Sequence, residues 1–316
     1  MASTLSSGTF LIGIPLLAEM RTFLSGFRMQ DKTRSHNLAA LEGRISMELY
    51  IWLAACGVLA GVTTVLFGFG GGFVVVPLLY QALTHMRATG APAGSHAMQI
   101  AVATSTCVMI FGAAMATAKH QRAGSLDWAV IKPLVVSIAI GSALGVVTAV
   151  VVQGSWLRWA FIAYVSLTVV DCWLRPGFLS QPMQGAQPAR AQTALTGIVI
   201  GWIAALLGVG GSVMTVPLLR RRGVSMTGAT AMASPLSLPV ALVGTATYAV
   251  LSWGGMASLG SGYVGYVDLR AFLALVVGSY AGVRMASPFI GRIPDRVHAR
   301  VYVGLLIAVV VSMLVG

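Results

Sequence analysis

Apolar and polar positions alternate in long blocks along this chain. Apolar runs lie at about 49–67, 73–84, 97–118, 128–153, 156–174, 193–207, 212–219, 228–251, 267–290 and 298–315. Several of them reach the roughly 20 residues that a helix needs to cross about 30 Å of hydrocarbon. The pattern predicts an all-α polytopic membrane protein with about eight to ten membrane helices or half-helices.

Composition supports this class and excludes another. The 316 residues are 57% hydrophobic and 9% charged, whereas a soluble domain carries about 25% charged residues. The net charge of +12 comes from basic residues scattered near the ends of the apolar runs, without a basic stripe interleaved with aromatic residues. This distribution is typical of loops that contact anionic lipid, and it argues against a nucleic-acid partner.

Polar segments divide the chain into four parts. Residues 1–47 contain a short apolar stretch and then several basic residues, which predicts a tail or an interfacial segment. A polar linker rich in proline and glycine, 175–192, separates repeat 1 (48–174) from repeat 2 (193–316).

The two repeats are related in sequence. Residues 57–79 and 197–219 align without gaps at an offset of 140, with ten identities in 23 positions, five of them glycine. Gly124-x-x-Asp127 also recurs as Gly265-x-x-Asp268. A gene duplication explains this similarity. If each half crosses the membrane an odd number of times, the halves form an inverted-topology repeat, as in many secondary transporters.

The repeat is strongest at a glycine motif that predicts a binding site. Glycine clusters 68–72 and 208–211 lie between apolar runs, and each is followed by a proline within the next run, Pro77 and Pro217. Irregular backbone at membrane depth is tolerated only where it is buried in protein or lines a cavity. The run after the second cluster rises only about 10 Å, too little to span a membrane. The motif therefore predicts broken or re-entrant helices whose N-terminal amides bind an anion between the two clusters.

Two other interpretations of the glycines were weighed. No Gly-Lys-Ser/Thr follows either cluster, so the motif is not a phosphate-binding P-loop. The glycines could instead serve only close helix packing. That role is expected for the four Gly-x-x-x-Gly pairs, which begin at Gly57, Gly141, Gly197 and Gly278.

A few polar residues inside the apolar runs are further candidates. Thr104 and Ser105 either donate hydrogen bonds to a ligand or bond back to their own helix. Arg284 is embedded in an apolar run and either serves the site or extends to the lipid headgroups. Asp127 and Asp268 begin apolar runs and are expected to cap helices.

No metal or other cofactor is inferred. His36, His85, His96, His120 and His298 lack the spacing of metal ligands, and the three cysteines lie singly in apolar runs. An intramembrane enzyme would need paired acids or a Ser-His couple inside the spans, and none is visible. The chain is therefore not expected to be an enzyme.

The duplicated G-x-G-G-G/S-x4-P-x-L pattern, followed in repeat 1 by Ala101-Val102-Ala103-Thr104-Ser105, resembles the TauE/SafE family of membrane permeases. The resemblance covers residues 48–316 and implies transport of sulfite or organosulfonates, usually outward. Thr104 and Ser105 stand at the Thr-Ser positions of the family. Repeat 2 departs from the pattern, because Met232 and Ala233 stand there and Ser234 follows one place later.

The resulting hypothesis is a secondary transporter that exports small sulfur-containing anions across the cell membrane, most simply a bacterial inner membrane. The expected substrate-binding residues are Gly68, Gly70, Gly71, Gly72, Pro77, Thr104, Ser105, Gly208, Gly210, Gly211, Ser212, Pro217, Ser234 and Arg284. A passive anion channel is the alternative. The sequence leaves open whether the protein forms a homo-oligomer.

Charge also predicts orientation. Loops 119–127, 175–192, 220–227 and 291–297 are expected on one face and are rich in Lys and Arg. If each half has five crossings or hairpin arms, the positive-inside rule makes that face cytoplasmic, and the basic N-terminal tail then lies on the other side.

Overall fold

A computed structural model describes residues 50–87, 96–174, 190–253 and 262–315. They belong to a unit that covers Tyr50–Gly316. The predicted tail, 1–47, and residues 175–189 of the predicted linker lie outside the described residues.

This part of the chain is almost entirely helical. Its helices are α1 (Tyr50–Phe67), α2 (Gly72–Arg87), α3 (Ala97–Arg122), α4 (Trp128–Val151), α5 (Gly154–Leu174), α6 (Arg190–Leu207), α7 (Ser212–Arg221), α8 (Met226–Trp253), α9 (Leu269–Ala286) and α10 (Asp295–Val315). Two short strands, β1 (Tyr263–Val264) and β2 (Val267–Asp268), pair antiparallel before α9, and a 3-10 turn, Ser287–Phe289, follows it. Each predicted apolar run corresponds to one helix, although α6 begins at Arg190, inside the predicted linker.

Seven helices within the described ranges are long and apolar enough to cross a membrane: α1, α3, α4, α5, α8, α9 and α10. The prediction of an all-α polytopic membrane protein is confirmed. Helix α7 has ten residues and rises about 15 Å, which is too short to span. The second glycine cluster therefore leads into a short helix, as predicted, whereas the inverted relation of the two halves stays a prediction.

Glycines set the closest helix contacts. A Cβ atom added at Gly141 in α4 would lie 2.0 Å from the Ile198 carbonyl oxygen of α6, and one added at Gly278 in α9 would lie 2.0 Å from the Ala54 carbonyl oxygen of α1. The expected packing role of these Gly-x-x-x-Gly pairs is confirmed.

These contacts also interlock the two repeats. Helix α1 of repeat 1 packs on α9 of repeat 2, and α6 of repeat 2 packs on α4 of repeat 1. The first helix of each repeat thus lies against the other repeat, and neither half buries its own glycine-lined face alone.

The two repeated aspartates cap helices, as expected. Asp127 Oδ1 accepts a hydrogen bond from the Ala129 amide at the start of α4 (3.0 Å). Asp268 Oδ1 accepts from the Arg270 and Ala271 amides at the start of α9 (3.0 and 3.1 Å). Each carboxylate satisfies amides that lack an intrahelical acceptor.

Polar contacts join two of the loops that were expected on one face. Arg220, at the end of α7, forms an ion pair with Asp295 at the start of α10. Asp295 Oδ1 also accepts from the Met226 amide at 2.6 Å. Loops 220–227 and 291–297 therefore lie together.

Replacing Gly141 with Ala should lower the melting temperature in detergent. The new methyl group would overlap the Ile198 backbone, and overpacking of this kind costs about 1–3 kcal/mol. The matched control is Gly304→Ala in α10, where a Cβ meets nothing within 4 Å. Equal melting temperatures for the two variants would contradict the packing account.

Candidate functional site

Two glycine loops form the centre of the candidate site: loop 1, residues 68–71, joins α1 to α2, and loop 2, residues 208–211, joins α6 to α7. Positive φ angles occur at Gly68 (74°), Gly70 (67°), Gly71 (91°), Gly208 (67°) and Gly210 (71°). Residues with side chains rarely adopt these angles, so the conformation of the loops explains five of the repeated glycines. Gly211 differs, with φ −71°, and begins α7 as its N-cap.

The two loop regions are buried and touch each other. Residues 67–73 and 207–213 are all buried. A Cβ added at Gly72, the first residue of α2, would lie 2.2 Å from the Gly208 carbonyl oxygen. Only a glycine at position 72 allows this approach, and the structure thus brings the two predicted motifs into direct contact.

Unpaired backbone amides surround this contact. The first helical hydrogen bonds run from the Val75 amide to the Gly71 carbonyl (3.3 Å) and from the Thr215 amide to the Gly211 carbonyl (2.9 Å). The first three amides of α2 and of α7 therefore precede the helical ladder. No acceptor for them is found among the described residues. Both helix N-termini thus present donors and partial positive charge at the glycine loops.

Each loop packs on a long helix of the other repeat. A Cβ at Gly68 would meet Thr230 and Ala233 of α8, whereas one at Gly208 would meet Val102 and Ser105 of α3. Thr230 lies 128 positions after Val102, and Ala233 lies 128 positions after Ser105. The two contacts are therefore equivalent, and each joins a loop of one repeat to a helix of the other.

One pair of side chains contacts both loops. Cβ atoms added at Gly70 and Gly210 would lie 3.0 and 2.8 Å from Met109 Sδ of α3, and both would lie within 3.5 Å of Ser237 atoms of α8. Met109 and Ser237 are again 128 positions apart. Sequence reasoning missed both, since a methionine in an apolar run and a serine that bonds to its own helix at Ala233 carry no distinguishing signal.

The two hydroxyls of the Thr-Ser pair have different roles. Ser105 Oγ lies 2.9 Å from the Val102 carbonyl and 3.2 Å from the Gly208 carbonyl, so its single proton serves its own helix or loop 2. Thr104 Oγ1 accepts from the Asp268 amide at 3.0 Å and thereby holds the corner between β2 and α9. Of the two, the structure brings only Ser105 to a glycine loop.

Two other predicted hydroxyls retain an unused donor. Ser212 Oγ and Ser234 Oγ are buried and have no hydrogen-bond partner among the described residues. Ser212 is the first residue of α7. Ser234 follows Ala233, which contacts loop 1, and precedes Leu236, whose carbonyl oxygen would lie 3.5 Å from a Cβ at Gly211. Buried polar groups of this kind usually have a partner, and a ligand is one way to supply it.

The remaining predicted residues divide into two groups. Pro77 and Pro217 lie inside α2 and α7, where each removes the amide that would bond to the carbonyl four residues earlier. Arg284 is exposed in the last turn of α9, and its Nη1 donates to the Tyr280 hydroxyl of the same helix at 3.2 Å. The described contacts do not bring Arg284 to the glycine loops, and its position fits the alternative, extension to lipid headgroups.

Acidic side chains are engaged elsewhere. Among the described residues the acids are Asp127, Asp171, Asp268 and Asp295. Two cap helices, Asp295 pairs with Arg220, and Asp171 pairs with Arg221. Within the described residues, the glycine loops lie beside hydrogen-bond donors and contact no carboxylate. Such a site favours an anion, which satisfies the donors, over a cation, which leaves them unpaired.

A cavity of about 480 Å³ lies beside loop 2, between α5, α6 and α7. Its lining includes Tyr164, Thr168, Asp171, Thr196, Val213 and Arg221. Ile200 also lines it and would lie 3.5 Å from a Cβ at Gly211. The cavity therefore reaches the first turn of α7.

Comparison with known proteins gives the same class. Over 265 aligned residues the chain is 24% identical to a probable membrane transporter protein of Haemophilus influenzae. The aligned segment covers 81% of this chain and 95% of that protein. A probable membrane transporter protein of Methanocaldococcus jannaschii is 23% identical over 168 residues, 53% of this chain and 60% of that protein. No solved structure matches. A family profile described as sulfite exporter TauE/SafE matches residues 53–313, which carry both glycine motifs. The chain therefore belongs to the TauE/SafE sulfite exporter family.

Proposed function

We propose that this membrane transporter is a secondary carrier that exports small sulfur oxyanions, such as sulfite or organosulfonates, across a bacterial inner membrane. The family description supports the substrate class. The substrate would bind where the two glycine loops meet.

The contact between Gly72 and Gly208 carries this proposal. It joins two buried helix N-termini whose first amides have no acceptor within the described ranges, and none of the carboxylates in those ranges contacts either glycine loop. A sulfite ion or a sulfonate group has three acceptor oxygens and can accept from both helix ends at once. The hydroxyls of Ser212 and Ser234 would add side-chain donors.

The crossed packing favours a carrier over a channel. Each loop lies against α3 or α8 of the other repeat, so a movement of one repeat against the other would change both loops together. Alternating access works through such movements around a fixed site. A passive channel needs a continuous path, whereas the buried loop contact closes the path at this point.

A thermal-shift screen of the purified protein tests the anion site. Sulfite, methanesulfonate, thiosulfate and sulfate should raise the melting temperature, since a ligand at 100 times its Kd stabilises by about 2.7 kcal/mol. Acetate should act more weakly, and tetramethylammonium should have no effect. Stabilisation by the cation alone would overturn the proposal.

The two unpartnered serines should contribute to affinity. Ser212→Ala and Ser234→Ala should each weaken methanesulfonate binding about tenfold or more, because a hydrogen bond to a charged group is worth about 1.5–3 kcal/mol. Isothermal titration measures the affinity. The control is Ser142→Ala in α4, whose buried hydroxyl donates to the Ile138 carbonyl of its own helix. Equal affinities in all three variants would remove both serines from the site.

A further inference from the structure

Two buried histidines hold the end of α1. His120 Nε2 of α3 lies 2.9 Å from the Val65 carbonyl oxygen, and His298 Nε2 of α10 lies 2.8 Å from the Leu66 carbonyl oxygen. Their side chains come from positions 178 residues apart and are almost fully buried. A carbonyl oxygen only accepts, so each Nε2 carries the hydrogen and each Nδ1 is the position that a further proton can occupy.

The surroundings of His120 suit both protonation states. Ser125 Oγ lies 3.1 Å from His120 Nδ1 and 3.1 Å from the His120 carbonyl oxygen. In the neutral state the hydroxyl donates to Nδ1. In the protonated state Nδ1–H donates to the hydroxyl oxygen, and the hydroxyl proton turns to the carbonyl. Ser125 is partly exposed, so it also connects the buried ring to water.

His298 Nδ1 has no hydrogen-bond partner among the described residues. The charged or titratable groups that act on this ring are Asp295 of its own helix, Arg220 of α7 and His120 of α3. Arg220 and Asp295 pair and largely cancel. The C-terminal end of α1 carries partial negative charge that favours one cation there. The two rings contact the carbonyl oxygens of adjacent residues, Val65 and Leu66, so a second proton would repel the first.

The pair is connected directly to loop 1. The His298 ring packs edge-on against Phe67 with 5.0 Å between ring centroids, and Phe67 is followed by Gly68. The positions equivalent to the two histidines carry no such pair: Tyr248 of α8 stands 128 positions after His120, and Leu157 of α5 stands 141 positions before His298. The histidine pair is therefore specific to the end of α1.

We propose that His120 and His298 form the binding site for one exchangeable proton, which the carrier takes up when it binds its anion. This inference rests on the proposed function for its second half, the coupling. The proton passes from water through the Ser125 hydroxyl to His120 Nδ1, and no other bond is made or broken. The cation formed at the end of α1 would then offset the charge of an anion at loop 1.

Glutamine variants separate proton binding from helix capping. His120→Gln and His298→Gln keep a side-chain N–H that can donate to the α1 carbonyls, but they cannot titrate. In protein labelled with 13C at histidine Cε1, NMR should show the His120 and His298 signals shifting across a range from neutral to acidic pH. Removal of either histidine should move the titration midpoint of the other, because the repulsion between the two protons is lost. Histidine signals that do not shift across this range, or midpoints that are independent of each other, would overturn the shared proton site.

Coupling is tested with methanesulfonate, which does not itself titrate near neutral pH. Isothermal titration in buffers of different ionisation enthalpy should show proton uptake on binding to the wild type and to the control His96→Gln. The double variant, His120→Gln with His298→Gln, should bind methanesulfonate with no proton uptake. Undiminished uptake by the double variant would end the coupling. If the wild type binds no anion, the proposed function and the coupling fail together, while the NMR titration still decides the proton site.

Discussion

Replacing Gly72 with Ala is expected to reduce anion transport about tenfold to a hundredfold while the protein remains folded in the membrane. The new Cβ would lie 2.2 Å from the Gly208 carbonyl oxygen, a backbone atom that cannot turn aside as a side chain would. Separating the loops by the required distance should cost about 1–3 kcal/mol at the site. The measurement is anion flux into proteoliposomes, normalised to the amount of folded protein.

The control for this variant is Gly211→Ala in loop 2. Gly211 has φ −71°, and a Cβ there would meet its nearest atoms at 3.5 Å, an ordinary contact. We expect flux close to that of the wild type. Gly72 and Gly211 are both among the substrate-binding residues expected from the sequence, whereas the structure makes these two unequal. Equal flux in Gly72→Ala and the wild type would contradict the importance of the loop contact.

The second large effect concerns stability. Asp295→Ala should lower the free energy of unfolding by about 3 kcal/mol, because it removes the carboxylate that pairs with the Arg220 side chain, which is only 1% exposed. The expected value is at the lower end of the range for buried pairs since the Asp295 side chain is 37% exposed. The variant also loses the hydrogen bond from the Met226 amide. Equilibrium unfolding in mixed micelles with increasing SDS gives the measurement.

Asp171→Ala is the matched control for the ion pair. It removes the carboxylate partner of Arg221, whose side chain is 45% exposed. An exposed pair contributes about 1 kcal/mol or less. A loss as large for Asp171→Ala as for Asp295→Ala would show that burial of Arg220 does not set the cost.

Most helices could be predicted from the sequence because the bilayer imposes a strong local constraint. An apolar run must satisfy its backbone hydrogen bonds internally, so runs such as 97–118 and 128–153 become helices almost unchanged. The caps at Asp127 and Asp268 were predictable for the same local reason, since both stand at the start of an apolar run.

The site was only partly predictable because its contacts are long-range. The repeated glycines indicated special backbone, and positive φ at Gly68 and Gly208 bears this out. Nothing local indicated that Met109 would contact both loops or that His120 and His298 would meet at α1. The role of Arg284 depended on which face of α9 it occupies, and a mostly apolar helix gives little indication of that face.

The central claim is that the protein carries small anions through alternating access. The most direct test is uptake of 35S-sulfite into proteoliposomes with an imposed proton gradient, with and without an ionophore that collapses it. The account predicts that sulfite accumulates inside the vesicles above its external concentration. The ionophore should abolish this accumulation, and the Gly72→Ala variant should lose it. Flux that only equalises the sulfite concentrations on the two sides, and that is the same with and without the ionophore, would indicate a passive channel and contradict the account.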